Sequence, residues 1–177
     1  KNYLEKLKQI YIVACGTAMH AGLVGKYAME KLCRIPVNVE VASEFRYQDP
    51  IIDENTLCIF ISQSGETADT IAALKLAREK KAKTVAVTNV FESSITREAD
   101  HTLYTHAGPE IAVASTKAYI SQVGLIVALA IYMSEVLDKN TELDQSLKRD
   151  LMNLPDLMNE VISNNQYYQE IAKKMVR

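Results

Sequence analysis

The sequence predicts an α/β domain in which helices cover both faces of a parallel sheet. Short apolar runs alternate about five times with longer segments of helical periodicity, and this alternation is typical of parallel strands joined by crossover helices. Residues 57–61 are apolar at every position, as expected for a strand buried on both faces. The chain has 177 residues, of which 48% are hydrophobic, so it can build one compact domain with its own core.

The predicted strands are short and end at turns or polar residues. The first apolar run stops at a Cys-Gly-Thr turn, the second alternates after Pro36, and the third stops at Ser-Gln-Ser-Gly. Asp49 and Pro50 form a turn signal between the second and third runs. The strands are predicted at residues 10–14, 37–41, 57–61, 84–88 and 101–105.

The predicted helices follow from apolar residues at helical spacing. Residues 18–32 and 68–80 each carry an apolar stripe, and 94–100 is long enough for one or two turns. A long helix is predicted at 116–137. Its stretch 123–133 is apolar all round, so we expect burial on every side and packing against a second copy or a missing half.

A change to polar, helical composition after residue 138 divides the chain. We predict a domain at 1–138 and a helical arm or linker at 139–177, interrupted by Pro155 and leading towards a missing partner domain. A packed C-terminal helix pair explains the tail equally well. The chain opens on Lys1 without an initiator Met, so we expect a domain of a longer protein.

Composition argues against several function classes. Twenty basic and 22 acidic residues leave a net charge of −2, which does not favour nucleic-acid binding. There is no polybasic run for a membrane surface, and the longest apolar run, 123–133, is shorter than the roughly 20 residues of a membrane span. Cys15, Cys33 and Cys58 sit among apolar neighbours, which indicates reduced cytosolic thiols. Metal-ligand spacing is absent, and no metal is expected.

Ligands of open parallel sheets bind at the carboxyl ends of the strands, and the loop after the third strand is the most informative. It places three hydroxyls, on Ser62, Ser64 and Thr67, in six residues around Gly65 at a strand-to-helix turn. Such a turn directs backbone N–H groups and the helix dipole at one point. The loop has no lysine, so a sugar or other small monophosphate fits better than a magnesium-bound triphosphate. N-capping by Ser64 is the alternative, and it explains one hydroxyl.

Two further loops reach the same edge of the sheet. After the first strand, Thr17 offers a hydroxyl, although a plain turn with Thr17 as N-cap explains that segment as well. A nucleophilic Cys15 lacks a supporting histidine and acid. Before the long helix, Ser115 is the expected N-cap, and Lys117 in the first turn needs an anionic ligand or Glu110 as partner unless it is simply solvated.

Residues 15–17, 62–70 and 113–118 resemble the sugar isomerase (SIS) domain family. The resemblance also includes residues 40–47, in which we expect an ion pair between Glu44 and Arg46. With this segment, the resemblance is closest to the first of two SIS domains in isomerizing aminotransferases. It extends over about residues 11–135. The resemblance implies a three-layer α/β/α sandwich with a five-stranded parallel sheet of flavodoxin-like order. It also implies a cytoplasmic, homodimeric enzyme without a cofactor. That enzyme makes glucosamine 6-phosphate and glutamate from fructose 6-phosphate and glutamine, for amino-sugar synthesis.

The resemblance also assigns residues. It implies that the phosphate is held by the hydroxyls of the glycine-containing loop and that the sugar is lined by neighbouring residues. The phosphate set is Ser62, Ser64 and Thr67 around Gly65, and the sugar set is Thr17, Gln63, Val113, Ala114 and Ser115. Ala18 stands where some members carry serine. The family's catalytic groups lie in a glutaminase domain, a second SIS domain and a tail that this chain lacks. We therefore expect sugar-phosphate binding and no catalytic residue here.

Three other readings remain open. The domain could be the sugar-phosphate sensor of a regulator, or belong to another SIS enzyme such as a phosphosugar isomerase or deglycase. The apolar long helix also fits a structural dimerisation module that binds no phosphate. Whether Lys117, Glu110 or His106 contacts a ligand is left open.

Overall fold

The computed structural model describes residues 1–111, 115–139 and 142–176, and it contains one parallel sheet of five strands in the order β2-β1-β3-β4-β5. This confirms the predicted parallel sheet of flavodoxin-like order. The predicted bounds differ from the observed ones by at most one residue. The strands are β1 Gln9–Ala14, β2 Val37–Val41, β3 Thr56–Ile61, β4 Lys83–Thr88 and β5 His101–Tyr104.

Seven α-helices and one 3-10 turn lie in the described part of the chain. The sequence did not predict the 3-10 turn Leu4–Lys6 or α2. The α-helices are α1 Thr17–Cys33, α2 Ala42–Tyr47, α3 Ala68–Glu79, α4 Ser94–Glu98, α5 Lys117–Val136, α6 Glu142–Ser163 and α7 Asn165–Met175. The α2 helix is stabilised by Phe45, which is fully buried edge-on against the rings of Tyr11 and Phe60.

The sheet has an apolar core on each face, which gives the three-layer α/β/α sandwich. One core lies between the sheet and the pair α1 and α5, and the other lies under α2, α3 and α4. The first two helices pack closely because α1 has a glycine at the crossing. A Cβ on Gly25 would lie 2.2 Å from Cγ2 of Ile126, so a larger residue would separate α1 from α5.

Within this chain α5 is not buried on every side as predicted, and packing of its remaining surface against a second copy or a missing half stays a prediction. Ile126 and Ala130 are fully buried against α1 and the sheet, whereas Tyr132 is 60% exposed. The helix is therefore a core element on one face only, and its other face borders open grooves. By length and composition alone, it is also the one helix in residues 1–111, 115–139 and 142–176 that could cross a membrane, with a third of that stretch buried.

The predicted interruption at Pro155 is also wrong, because α6 runs through it. A proline inside a helix removes one backbone hydrogen bond. Leu154 and Met158, on either side of the proline, line the same groove against α5, so both halves of α6 follow one face of α5. The α7 helix that follows has no buried residue. The predicted start of the tail helix, Thr141, lies outside the described residues.

Candidate functional site

A cleft opens where the strand order reverses, between the carboxyl ends of β1 and β3. The last residues of these strands, Ala14 and Ile61, lie side by side in the sheet. The chain leaves β1 into α1 on one face and leaves β3 into α3 on the other, which is the usual origin of a ligand crevice in such sheets. The cleft has a volume of about 310 Å³. It is lined by Cys15, Thr17, Ala18, Ile61, Ser62, Gln63, Ser64, Thr67, Ser115 and Gln122.

Most of the predicted site residues meet in this cleft. Those on its walls come from the loops after β1 and β3 and from the loop before α5: Thr17, Ser62, Gln63, Ser64, Thr67 and Ser115. Gly65 forms the turn behind them. Val113 and Ala114 lie outside the described residues.

The three hydroxyls of the loop after β3 do different things. Ser62 is 3% exposed; its Oγ accepts the backbone N–H of Gly65 at 3.0 Å and lies 3.0 Å from Thr67 Oγ1. Ser62 therefore braces the loop. Ser64 is half-buried, and its Oγ accepts the backbone N–H of Glu66 at 3.2 Å. The Ser64 hydroxyl keeps its own proton free to donate into the cleft.

The amino end of α3 is open towards this loop. Thr67 is the N-cap residue of α3, and no side-chain hydrogen bond caps the helix. N-capping by Ser64, the alternative explanation of the motif, is therefore wrong. The first N–H groups of a helix have no partner within it, so this end of α3 presents donors and a partial positive charge to the cleft.

The loop of residues 62–67 and the amino end of α3 together form what we call the cradle. Two carboxylates lie close to it, and both are engaged elsewhere. Glu66 accepts the backbone N–H of Ser94 at 2.7 Å, and hydrogen bonding to Ser94 lowers the pKa of Glu66 below its ordinary value. Asp69 accepts from Arg46 at 2.8 Å. The predicted ion pair between Arg46 and Glu44 is wrong, because residues two apart on a helix do not face each other. Arg46 instead neutralises the one acidic residue in the first turn of α3.

Gly65 holds the cradle loop against the next loop of the chain. Its φ is +69°, and a Cβ there would lie 2.1 Å from Oγ of Ser93. Its carbonyl accepts the backbone N–H of Ile95 at 3.0 Å. A glycine is required at this position both by the backbone conformation and by the close approach.

The start of α5 is capped by a distant carboxylate and not by Ser115. Thr116 is the N-cap residue. The Glu110 carboxylate accepts the N–H and the hydroxyl of Thr116, at 3.3 and 3.0 Å, and the N–H of Ala118 at 3.1 Å. This frees Ser115 to line the cleft. Lys117 is in the first turn as predicted, but it borders a separate groove between α5 and α6.

Glu110→Gln is expected to lower thermal stability in a pH-dependent manner. Hydrogen bonds from Ala118 and Thr116 hold the pKa of Glu110 below its ordinary value of 4.5. Its contribution to stability is therefore complete above the unfolded pKa and is lost as the pH falls through the folded pKa. The difference in Tm between Glu110→Gln and the unaltered chain should be full at pH 7, shrink from about pH 4.5 downward and vanish in stronger acid. Glu54→Gln, at an exposed loop position, is the matched control. A Tm difference independent of pH would contradict the capping role.

The cysteines support no nucleophilic mechanism. Cys33 and Cys58 are buried free thiols, and burial raises their pKa to about 11 and about 12. Cys15 borders the cleft, where its Sγ accepts a long hydrogen bond of 3.9 Å from Thr70. No histidine or acid of the described residues bonds to Cys15, and no three metal-ligand side chains cluster within residues 1–111, 115–139 and 142–176.

Sequence reasoning missed Gln122. It lies in α5, is 2% exposed and borders the cleft from the side of the α1–α5 pair. Its Oε1 atom is buried with no hydrogen-bond partner among the described residues. The only signal in the sequence was one amide within a long apolar segment.

Two other concave regions have different linings from this cleft, although one of them shares Gln63 with it. One is more apolar, about 670 Å³, and lies at the amino ends of β3, β4 and β5, the opposite edge of the sheet from the usual ligand site. The other borders the aromatic cluster of Phe91, Tyr104 and His106, whose Phe91 and Tyr104 rings stack at 4.3 Å. His106 faces this second region, and Gln63 borders both it and the candidate cleft.

Comparisons with known proteins agree with the geometry. The SIS domain family model matches residues 3–132. The glutamine–fructose-6-phosphate aminotransferase (isomerizing) of Clostridium tetani is 55% identical over 175 residues, which cover 98% of this chain and 29% of the relative. The enzyme of the same name from Caldanaerobacter subterraneus is 53% identical over 177 residues, again 98% of this chain and 29% of the relative.

A solved structure gives the same answer for the fold. The C-terminal domain of glucosamine-fructose-6-phosphate aminotransferase from Francisella tularensis superposes with a TM-score of 0.90 at 35% identity, over 96% of this chain and 49% of that one. The chain thus spans less than a third of the length of these curated relatives and about half of this solved domain.

Proposed function

Because the chain belongs to the SIS domain family, we propose that it is the phosphosugar-binding part of the isomerase module of a glutamine–fructose-6-phosphate aminotransferase. Its ligands are then fructose 6-phosphate and glucosamine 6-phosphate. The observation that carries this proposal is the cradle at the end of β3, where the free hydroxyl of Ser64 and the uncapped amino end of α3 face one cleft.

The cradle suits a phosphate monoester. Its donors are hydroxyls and backbone N–H groups, which bind phosphate oxygens without a counter-charge. No lysine or arginine lines the cleft within the described residues, and a triphosphate with its metal needs more positive charge than this. Arg46 assists from outside by neutralising Asp69. Ser64 and Thr67 are the proposed phosphate ligands. Ser62, which the resemblance also assigned to the phosphate, is proposed to hold them in place through its bonds to Gly65 and Thr67.

The remaining wall fits the sugar. Thr17, Gln63 and Ser115 place two hydroxyls and an amide around the cleft, and these groups can exchange hydrogen bonds with sugar hydroxyls. We assign Val113 and Ala114 to the same wall from their place in the family's motif. Ala18 provides no hydroxyl beside Thr17.

We assign no catalytic residue to this chain. Moving a proton between two sugar carbons requires a general base, such as a carboxylate, within reach of both. Glu66 accepts the backbone N–H of Ser94, Asp69 pairs with Arg46 and Glu110 caps α5, so these three nearby carboxylates already have structural roles. We assign the base, like the glutaminase, to the part of the enzyme beyond this chain. The chain itself matches 29% of the length of the curated relative. The chain alone should bind the sugar phosphate and show no turnover.

The rest of the proposal concerns organisation. Residues 1–138 form the SIS domain, and 139–177 form an arm towards a second SIS domain of the same enzyme, with a glutaminase domain elsewhere. The exposed apolar side chains of α6 and α7, such as Ile162 and Tyr167, support a partner for this arm. We place the enzyme in the cytoplasm as a homodimer of amino-sugar synthesis.

Calorimetry on the 177-residue chain tests the proposal. Fructose 6-phosphate and glucosamine 6-phosphate should bind, whereas unphosphorylated fructose should not. Ser64→Ala removes one hydrogen bond to a charged group, so affinity for both sugar phosphates should fall about tenfold. Ser121→Ala is the matched control, since Ser121 bonds to the Lys117 carbonyl in a different groove. If the sugar phosphates do not bind, or if Ser64→Ala binds them as tightly as the unaltered chain, the cradle is not the phosphate site.

A further inference from the structure

The buried amide of Gln122 is unusual within its own helix. The α5 helix buries two uncharged polar side chains besides its alanines and apolar residues, Gln122 and Ser134. The Ser134 hydroxyl donates to the Leu32 carbonyl at 3.4 Å. The Gln122 Oε1 atom has no partner among the described residues, although the side chain is 98% out of contact with solvent.

A buried acceptor without a partner is costly. Leaving such a group unsatisfied costs about 1–3 kcal/mol, and buried polar groups in native proteins are almost always bonded. Leucine or methionine would fill a similar volume in this apolar helix at no such cost. In the empty cleft the Gln122 Oε1 atom has almost no exposed surface, so it can meet an entering molecule only if the amide turns about its last side-chain torsion, which is a soft one. An amide at this position therefore makes sense if such a molecule is its partner.

The chemistry of the cleft indicates which part of a ligand that partner is. Gln122 borders the cleft together with Thr17 and Ser115, the residues assigned to the sugar. An amide oxygen accepts hydrogen bonds only. Phosphate oxygens ordinarily accept hydrogen bonds as well, so a phosphate dianion offers this atom nothing. A sugar hydroxyl can donate to it.

We propose that Gln122 binds a hydroxyl of the sugar portion of the ligand and makes the cleft select a sugar phosphate over bare phosphate. The proposal rests on the proposed function and adds a specificity-determining residue to it. In this arrangement the cradle loop and α3 bind the phosphate, and Gln122 of α5 binds the sugar. The two halves of the recognition come from opposite faces of the sheet.

Gln122→Met tests this by distinguishing binding of the sugar portion from binding of the phosphate. The substitution keeps the size and removes the amide, so affinity for fructose 6-phosphate should fall about tenfold. Affinity for inorganic phosphate, measured by the same calorimetry, should not change. The Tm of the ligand-free chain should stay the same or rise, because the unsatisfied acceptor is gone. Ser134→Ala, which removes a satisfied hydroxyl of the same helix, should lower Tm and leave both affinities unchanged.

The alternative outcomes are distinct. A lower Tm in Gln122→Met, with equal losses for phosphate and fructose 6-phosphate, would mean that Gln122 serves packing, and this overturns the inference. Unchanged affinity for fructose 6-phosphate overturns it too, while the proposed function stands. Failure of the unaltered chain to bind either ligand overturns the proposed function and the inference together.

Discussion

Gly65→Ala should destabilise the chain by about 3 kcal/mol and abolish sugar-phosphate binding. A non-glycine residue in left-handed backbone conformation costs roughly 1–2 kcal/mol, and overpacking adds about 1–3 kcal/mol. Both apply here, because φ is +69° and the new methyl would lie 2.1 Å from Oγ and 2.6 Å from Cβ of Ser93. Relief requires the cradle loop to move away from Ser93, which takes Ser64 and Thr67 out of position. Urea denaturation and calorimetry measure the two effects.

Gly108→Ala separates the two costs. Gly108 has nearly the same φ, +70°, but nothing lies within 4 Å of a Cβ built there. It should therefore lose only the conformational part, roughly 1–2 kcal/mol. Equal free energies of unfolding for Gly65→Ala and Gly108→Ala would show that Ser93 yields without cost, contrary to the close packing described for this loop.

Ser64→Asp should reduce affinity for fructose 6-phosphate about 100-fold with little loss of stability. A carboxylate at this position faces the bound phosphate, and juxtaposed like charges cost several kcal/mol. A 100-fold loss of affinity corresponds to roughly 3 kcal/mol, which lies within that range. In the empty chain the same carboxylate lies near the open end of α3, where negative charge is favourable. Affinity from calorimetry and Tm from thermal denaturation should therefore move independently.

Ser163→Asp is the control for net charge, since Ser163 is exposed at the end of α6. It should bind fructose 6-phosphate as the unaltered chain does. If Ser64→Asp and Ser163→Asp have equal affinities, the phosphate does not sit on the loop after β3, and the assignment of the cradle is wrong.

The sheet and the location of the cleft could be predicted because they depend on local patterns. Uniformly apolar runs specify buried parallel strands, and the polar residues that follow them must meet at one edge. Ser62, Ser64 and Thr67 were found this way. Their separate roles were not, since three hydroxyls in six residues look alike until the Gly65 turn decides which of them is enclosed.

Several of the errors have one physical cause, which is contact between residues that no local helix or strand pattern relates. Glu110 caps α5 across a loop, and Arg46 reaches Asp69 from another helix; neither spacing is a helix signal. Gln122 falls in an apolar stretch and shows its unsatisfied oxygen only once the cleft is built. Pro155 predicts a break, yet α6 continues through it.

At the open amino end of α3, the stability of the empty chain and its affinity for the proposed phosphate are competing requirements. A side chain that capped this helix would strengthen the empty chain, and it would occupy the same N–H groups that the proposed phosphate needs. If the proposed phosphate binds there, the ligand completes the first turn of α3, and occupancy adds to the stability of the whole domain through thermodynamic linkage. Selection for a more stable fold and selection for tighter binding act in opposite directions on this one helix end.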